Sequence, residues 1–210
     1  MNQSPIQNPK SAILPPLIVL SGPSGAGKST VVDEVLRASR FPLRRVITAT
    51  TRQPRPGEQD RVDYHFWDVE RFKRAIAAGE MLEYAVVYGT DHYGTPRSEV
   101  DSYRTAGVGV LLVIDVQGAE QVRQQYPADH LSVFLLVPSL GELEKRLRAR
   151  GTESEERIAR RLAAAERELA RAGEFRKHVV NDTVPNAVRE LGTIIDDEFI
   201  HRGITPCSTN

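Results

Sequence analysis

The 210-residue chain holds one cysteine, Cys207, close to its end. That excludes an intramolecular disulfide and a cysteine-based metal cluster, and it fits a reducing compartment. Net charge is absent: 28 basic and 28 acidic residues cancel, so no global field draws the chain to nucleic acid or to an anionic membrane. Any chemistry with anions must be local. Lysine is scarce, with five residues against 23 arginines, and arginine is the side chain that grips phosphate or carboxylate through two parallel hydrogen bonds. Long apolar runs are missing too. The stretches Leu17–Leu20, Val108–Ile114 and Val133–Val137 are strand-sized, far short of the about 20 residues of a membrane span. Met1–Pro16 lacks the apolar core of a signal peptide and reads as a polar, proline-containing flexible tail. What remains is a composition of 40% hydrophobic and 27% charged residues, enough to bury a core. The expectation is a cytoplasmic globular protein, one domain with small insertions.

Strand-like runs recur at Leu17–Leu20, Leu43–Ala49, Gly109–Asp115, Leu131–Val137 and Lys177–Asn181, with helical patterns between them. This alternation predicts an α/β fold with a mostly parallel sheet flanked by helices on both faces. Asp68 is expected to cap a helix ending at Gly79, a second helix to run from Pro96 to Gly107, and Pro185 to lie in the first turn of the last one. Two segments interrupt the alternation. The first, Thr50–Arg97, opens with the polar run TTRQPRPGEQDRVDYHF. The second, Leu140–Ala170, is a charged helix pair bent at Gly151, where Thr152 and Glu155 form a candidate capping box. Leu143, Leu147, Ile158, Leu162 and Leu169 give this pair apolar stripes expected to face the core. Its other face carries Arg146, Arg148, Arg150, Arg157, Arg160 and Arg161, a solvated surface or a mobile arginine lid.

The sharpest motif is Gly22-Pro23-Ser24-Gly25-Ala26-Gly27-Lys28-Ser29, followed by Thr30. It satisfies G-x-x-x-x-G-K-[ST] and lies between a strand and a helical run, where a phosphate-binding P-loop belongs. Its backbone amides can close around phosphate, Lys28 can reach the β- and γ-phosphates, and Ser29 can offer a hydroxyl to Mg²⁺. Asp115 ends the run LLVID, where a carboxylate beside such a site, or a simple helix cap, is expected. Arg52 and Arg55, with Tyr64, Tyr93 and Thr95, supply guanidiniums and hydroxyls suited to a phosphate monoester. Glu83, between Leu82 and Tyr84, is either a surface carboxylate on a strand or an acceptor for the N1–H and exocyclic amine of guanine.

Taken together, the segments SGPSGAGKST, TATTRQPRPGE with DYHF, MLEYA, HYGTP, LVIDVQG, RARGTESEERIARRL and VVND resemble guanylate kinase from about Leu17 to Ile200. The resemblance implies a P-loop NTPase core (17–47, 98–139 and 171–201), an inserted GMP-binding subdomain (48–97) and a helical lid (140–170). It further implies transfer of the γ-phosphoryl group of ATP to GMP with Mg²⁺, in purine nucleotide metabolism. By position, Thr48, Glu83 and Asp115 would address the guanine, and Arg52, Arg55, Tyr64, Tyr93 and Thr95 would hold the GMP phosphate. Lys28 and the P-loop amides would hold ATP, Arg150 and Arg161 would close over the transferring group, Asn181 would lie near adenine, and Ser29 and Asp115 would serve the metal. ATP and GMP are thus the implied partners, with neither nucleic acid nor membrane. The chain departs from the common pattern at Val113, where relatives often have the first Asp of Asp-x-Asp. It also departs in the loop from Gly89 to Gly94, at Thr48, where Ser is frequent, and at Arg61, where Gly usually precedes the DY pair. Two other readings are a kinase-like interaction module without catalysis and a P-loop kinase acting on a phosphorylated sugar.

Overall fold

The computed structural model describes residues 14–87, 91–149 and 154–207. Five parallel strands form the main sheet in the order β2 (Leu43–Arg45), β7 (Gly109–Val113), β1 (Leu17–Ser21), β8 (Leu131–Leu136), β9 (Lys177–Val180). Because side chains alternate along a strand, β1 feeds two cores at once. Ile18 and Leu20 join Leu111, Val133 and Leu135 beneath α1 (Lys28–Ala38), α5 (Leu140–Ala149) and α7 (Val184–His201), whereas Leu17 and Val19 join Val110, Leu112 and Phe134 beneath α3 (Arg97–Thr105) and α4 (Val116–Gln125). The expected α/β sheet with helices on both faces is what forms. Gly109 is required here: a Cβ on it would lie 2.4 Å from Cζ of Phe199, whose ring stacks on Phe41 at 4.6 Å.

A second sheet of four strands has the order β4 (His65–Phe66), β3 (Ala49–Thr50), β6 (Asp91–Pro96), β5 (Met81–Val87), with β3–β6 and β5–β6 antiparallel. It packs its own small core of Ala49, Phe72, Ala75 and Met81 against α2 (Val69–Ala77). The run expected as one strand, Leu43–Ala49, is therefore two. β2 ends at Arg45 in the main sheet, and Ala49–Thr50 pairs across to Gly94 and Tyr93 in the second. Its apolar residues serve two cores, which periodicity within one run cannot distinguish.

Helix boundaries follow their caps. Asp68 accepts from the Arg71 amide at 2.6 Å, Pro96 precedes α3, and a proline occupies the first turn of α7. α6 (Glu155–Ala170) is capped by Ser154, whose Oγ accepts from the Arg157 amide at 3.4 Å. Glu155 is thus the first helical residue and cannot complete the expected capping box; Thr152, Gly151 and Arg150 lie outside the described residues. In the helix pair Leu143, Leu147 and Ile158 are buried, with Leu162 and Leu169 partly so. Arg146, Arg148 and Arg160 pair with Glu142, Glu144 and Glu155, and Glu156 on the surface, and Arg161 turns inward.

The tail expected to reach Pro16 stops short of it, since Pro15 and Pro16 are buried. The Pro15 carbonyl accepts from Arg104 Nε at 2.8 Å, and the Leu14 carbonyl accepts from Arg202 Nη1 at 3.1 Å. Both arginines also clasp Asp129, at 2.8 and 2.6 Å. The beginning of the described chain and the end of α7 are joined through one carboxylate.

Candidate active site

The loop after β1 is shaped by glycines that no other residue could replace. Gly22 (φ 145°), Gly25 (φ 96°) and Gly27 (φ 90°) take positive dihedrals, and a Cβ would lie 2.4 Å from the Leu135 carbonyl oxygen at Gly22 and 2.5 Å from Asn181 Nδ2 at Gly27. Asn181, expected near adenine, is buried with its amide committed to the loop: Nδ2 donates to the Ala26 carbonyl at 2.7 Å. Lys28 Nζ curls back onto the carbonyls of Gly22 (2.5 Å) and Pro23 (3.1 Å). Burial lowers its pKa, opposed by the nearby carboxylates of Glu168 and Asp115. Arg161 Nη2 donates to Ser24 Oγ at 2.7 Å, so an arginine of α6 touches the loop. Ser29 and Thr30 are exposed in the first turn of α1.

The second sheet and the segments flanking it carry most of the other residues singled out. Arg52 Nε donates to Tyr93 Oη at 2.9 Å, and its Nη2 meets both oxygens of Glu58 at 2.9 Å. Its guanidinium lies 5.5 Å from the Tyr64 ring centre, and Tyr64 meets Tyr93 edge to face at 6.0 Å. Burial raises the Tyr64 pKa, keeping its hydroxyl a donor. Arg55 stays exposed at the turn where Glu58 accepts its backbone amide at 2.7 Å. Thr95 does not join this cluster. It is buried and donates to Glu83 Oε1 at 2.6 Å. Glu83 is 3% exposed, and burial pushes its carboxyl up to about 7, with Asp115 adding to the shift and Thr95 opposing it. Thr48 is buried immediately before β3, its carbonyl accepting from the His65 amide at 2.8 Å. Asp115 caps α4, its Oδ1 accepting from the amides of Gln117 (3.1 Å) and Gly118 (2.8 Å). The capping role weighed for Asp115 is therefore real.

Two separated anion sites, one P-loop and one arginine–tyrosine cluster with a buried carboxylate beside it, suit a donor and an acceptor of phosphate. The sequence model of guanylate kinase matches residues 15–198. The chain belongs to the guanylate kinase family. It is 51% identical over 180 residues to "Guanylate kinase" of Thermosynechococcus vestitus, covering 85% of this chain and 92% of that one. It is 52% identical over 177 residues to that of Streptomyces kasugaensis, covering 84% and 85%. The crystal structure of guanylate kinase from Anaplasma phagocytophilum superposes with a TM-score of 0.73 at 30% identity, covering 88% of this chain and 86% of that one.

Arg61 takes a left-handed conformation of the kind that favours glycine, with φ of 62° and its amide bonded to the Tyr64 carbonyl at 2.8 Å. The loop departure falls partly on Gly89 and Thr90, outside the described residues; His92 beyond it donates its amide to Thr51 Oγ1 at 2.9 Å. Sequence reasoning missed Glu58, which holds Arg52, although the spacing R-P-G-E in a turn was a usable signal. It also missed Gln121 and Gln125, whose partners lie on a distant strand.

Proposed function

We infer that this chain transfers the γ-phosphoryl group of ATP to GMP, giving ADP and GDP. The observation that carries this reading is the buried, hydrogen-bonded Glu83 lying beside an arginine–tyrosine anion cluster in a chain of this family. Its carboxylate, once ionised, accepts two parallel hydrogen bonds from guanine N1–H and the exocyclic amine, whereas adenine would present an acceptor there. Thr48 and Asp115 address the same base. Arg52, Arg55, Tyr64 and Tyr93 hold the GMP phosphate, and Glu58 pre-sets the Arg52 fork. Thr95, held against Glu83, acts at the base end of the site.

ATP lies on the P-loop amides, and Lys28 exchanges two carbonyls for phosphate oxygens. Arg161, already at the loop through Ser24, and Arg150 neutralise charge on the transferring group. The residues 48–97 and 140–170 act as GMP-binding subdomain and lid, closing to keep water from the transferring group. No general base is needed, since in-line transfer depends on positioning and charge neutralisation. Among the described residues no three His, Cys, Asp or Glu side chains group to hold an ion. The hydroxyl of Ser29 and the carboxylate of Asp115 are oxygen donors of the kind that suits Mg²⁺ arriving with ATP. When bound, Mg²⁺ would neutralise the β- and γ-phosphate oxygens. No described helix is long and apolar enough to cross a membrane, and the exposed Cys207 suits the reducing cytoplasm.

The test is ADP release from ATP with GMP, AMP, CMP, UMP and ribose bisphosphate in parallel, with Lys28→Ala as the blank. Turnover with GMP alone is expected. No turnover with any acceptor would favour an interaction module, and turnover with the sugar phosphate a different kinase.

A further inference from the structure

Helix α4 runs alongside β5, an edge strand of the second sheet. Three residues of α4, spaced to share one face, meet that strand: Gly118, Gln121 and Gln125. Gln121 satisfies the strand edge as another strand would, its Nε2 donating to the Tyr84 carbonyl at 2.7 Å and its Oε1 accepting from the Tyr84 amide at 3.1 Å. Gln125 Nε2 donates to the Leu82 carbonyl at 2.7 Å. The backbone on either side of Glu83 is therefore tied to α4.

Gly118, buried in the first turn of α4, faces the Glu83 carboxylate. A Cβ at this position would lie 2.3 Å from Glu83 Oε2 and 3.0 Å from its Cδ, against 3.4 Å from Ile114 Cδ1. One oxygen of Glu83, Oε1, thus accepts from Thr95, and the other, Oε2, lies against Gly118 in the space a side chain would take. Gly118 has a helical backbone with no positive φ, so its glycine is not required by the chain's conformation.

We propose that Gly118 is a specificity-determining positioning residue: its missing side chain makes the seat in which Glu83 is held for guanine. This rests on the reading that Glu83 addresses the base. A methyl group there displaces the carboxylate rather than the strand, because Gln121 and Gln125 hold the β5 backbone whereas the carboxylate is the far end of a side chain with three rotatable bonds, anchored among the described residues only by Thr95. The fold survives, helped by alanine's better helix propensity, and the carboxylate loses its alignment with N1–H and the exocyclic amine.

The test compares Gly118→Ala, Glu83→Gln, Glu83→Ala and Glu83→Ala with Gly118→Ala, each assayed with GMP and with inosine monophosphate, which lacks the exocyclic amine. Gly118→Ala is expected to cut kcat/KM for GMP about tenfold to a hundredfold, the range for loss of buried hydrogen bonds to a substrate. The GMP-to-IMP preference should fall with it, the KM for ATP should stay unchanged, and melting should remain cooperative. In the Glu83→Ala background, where the clash is gone, adding Gly118→Ala should change nothing further. A wild-type GMP-to-IMP ratio in Gly118→Ala beside a collapsed ratio in Glu83→Gln overturns the role of Gly118 alone. An unchanged ratio in Glu83→Gln overturns the reading of Glu83, and the seat with it. An equal loss from Gly118→Ala with and without Glu83 makes the glycine merely structural.

Discussion

A carboxyl group with its pKa pushed up to about 7 in the ligand-free site gives Glu83 two opposing effects of pH. With Glu83 in the role proposed above, recognition of guanine needs the ionised form, so GMP affinity should weaken as pH falls below about 7, and Glu83→Gln should flatten the profile between about pH 6.5 and 8 in isothermal titration. Stability runs the other way. The unfolded group titrates near 4.5, so between that value and about 7 the folded state binds the proton more tightly, and the ligand-free protein loses stability as pH rises. Glu83→Gln should therefore raise the melting temperature more at pH 8 than at pH 5, with an upper bound on the order of 3 kcal/mol. The position best suited to selectivity is one where the empty protein is weakened. Arg61 is a second residue with a cost, holding φ of 62° where a side chain crowds its own carbonyl. Arg61→Gly should stabilise the protein by up to about 1 kcal/mol in chemical denaturation, the left-handed penalty outweighing the added freedom of the unfolded chain. The resemblance marked Arg61 as standing where glycine is usual; that arginine itself adopts the left-handed turn was not legible.

Element by element, what the sequence disclosed was the local part. Asp68, Pro96 and Pro185 marked helix starts because a cap acts within a few residues, and the P-loop announced itself because strand, glycines and helix are contiguous. The second half of Leu43–Ala49 deceived because Ala49 is buried by β6 and α2, elements that come later in the chain. Gln121 and Gly118 were silent for a related reason: each acts on a partner whose proximity only the fold creates, as with Gln121 and Tyr84, 37 residues apart. Asp115 caps α4 and, under the function proposed above, also addresses the base, and the two tasks are separable. Asparagine caps a helix about as well as aspartate, so Asp115→Asn should keep its melting temperature while lowering kcat/KM for GMP. Asp115→Ala should lose the same activity and, in addition, about 1 kcal/mol of stability in urea unfolding.

For the molecule as a whole, the parallel order β2-β7-β1-β8-β9 gathers loops from the carboxyl ends of several strands onto one edge, the place where open α/β sheets hold ligands. The alternation of strands and helices foretold that edge, but not how Leu14 and Pro15 are secured to the end of α7. They meet at Asp129. Burial would raise its carboxyl, but hydrogen bonds from Arg202 and Arg104 outweigh it and hold it below the ordinary 3.8. A depressed carboxylate stabilises the fold above its unfolded value, and that contribution is lost as pH falls through the folded one. Asp129→Asn should therefore melt earlier than the parent at pH 7, with the gap closing under strong acid. The same clasp sets the Leu14 carbonyl 3.1 Å from Arg202, so the first described residue lies beside the end of α7. Between Leu14 and Arg202 the path of the chain is in this sense nearly closed. A circular permutant that joins Cys207 to Leu14 through a short flexible linker, and opens at the exposed turn of Gly79 between α2 and β5, should fold and still release ADP in response to GMP.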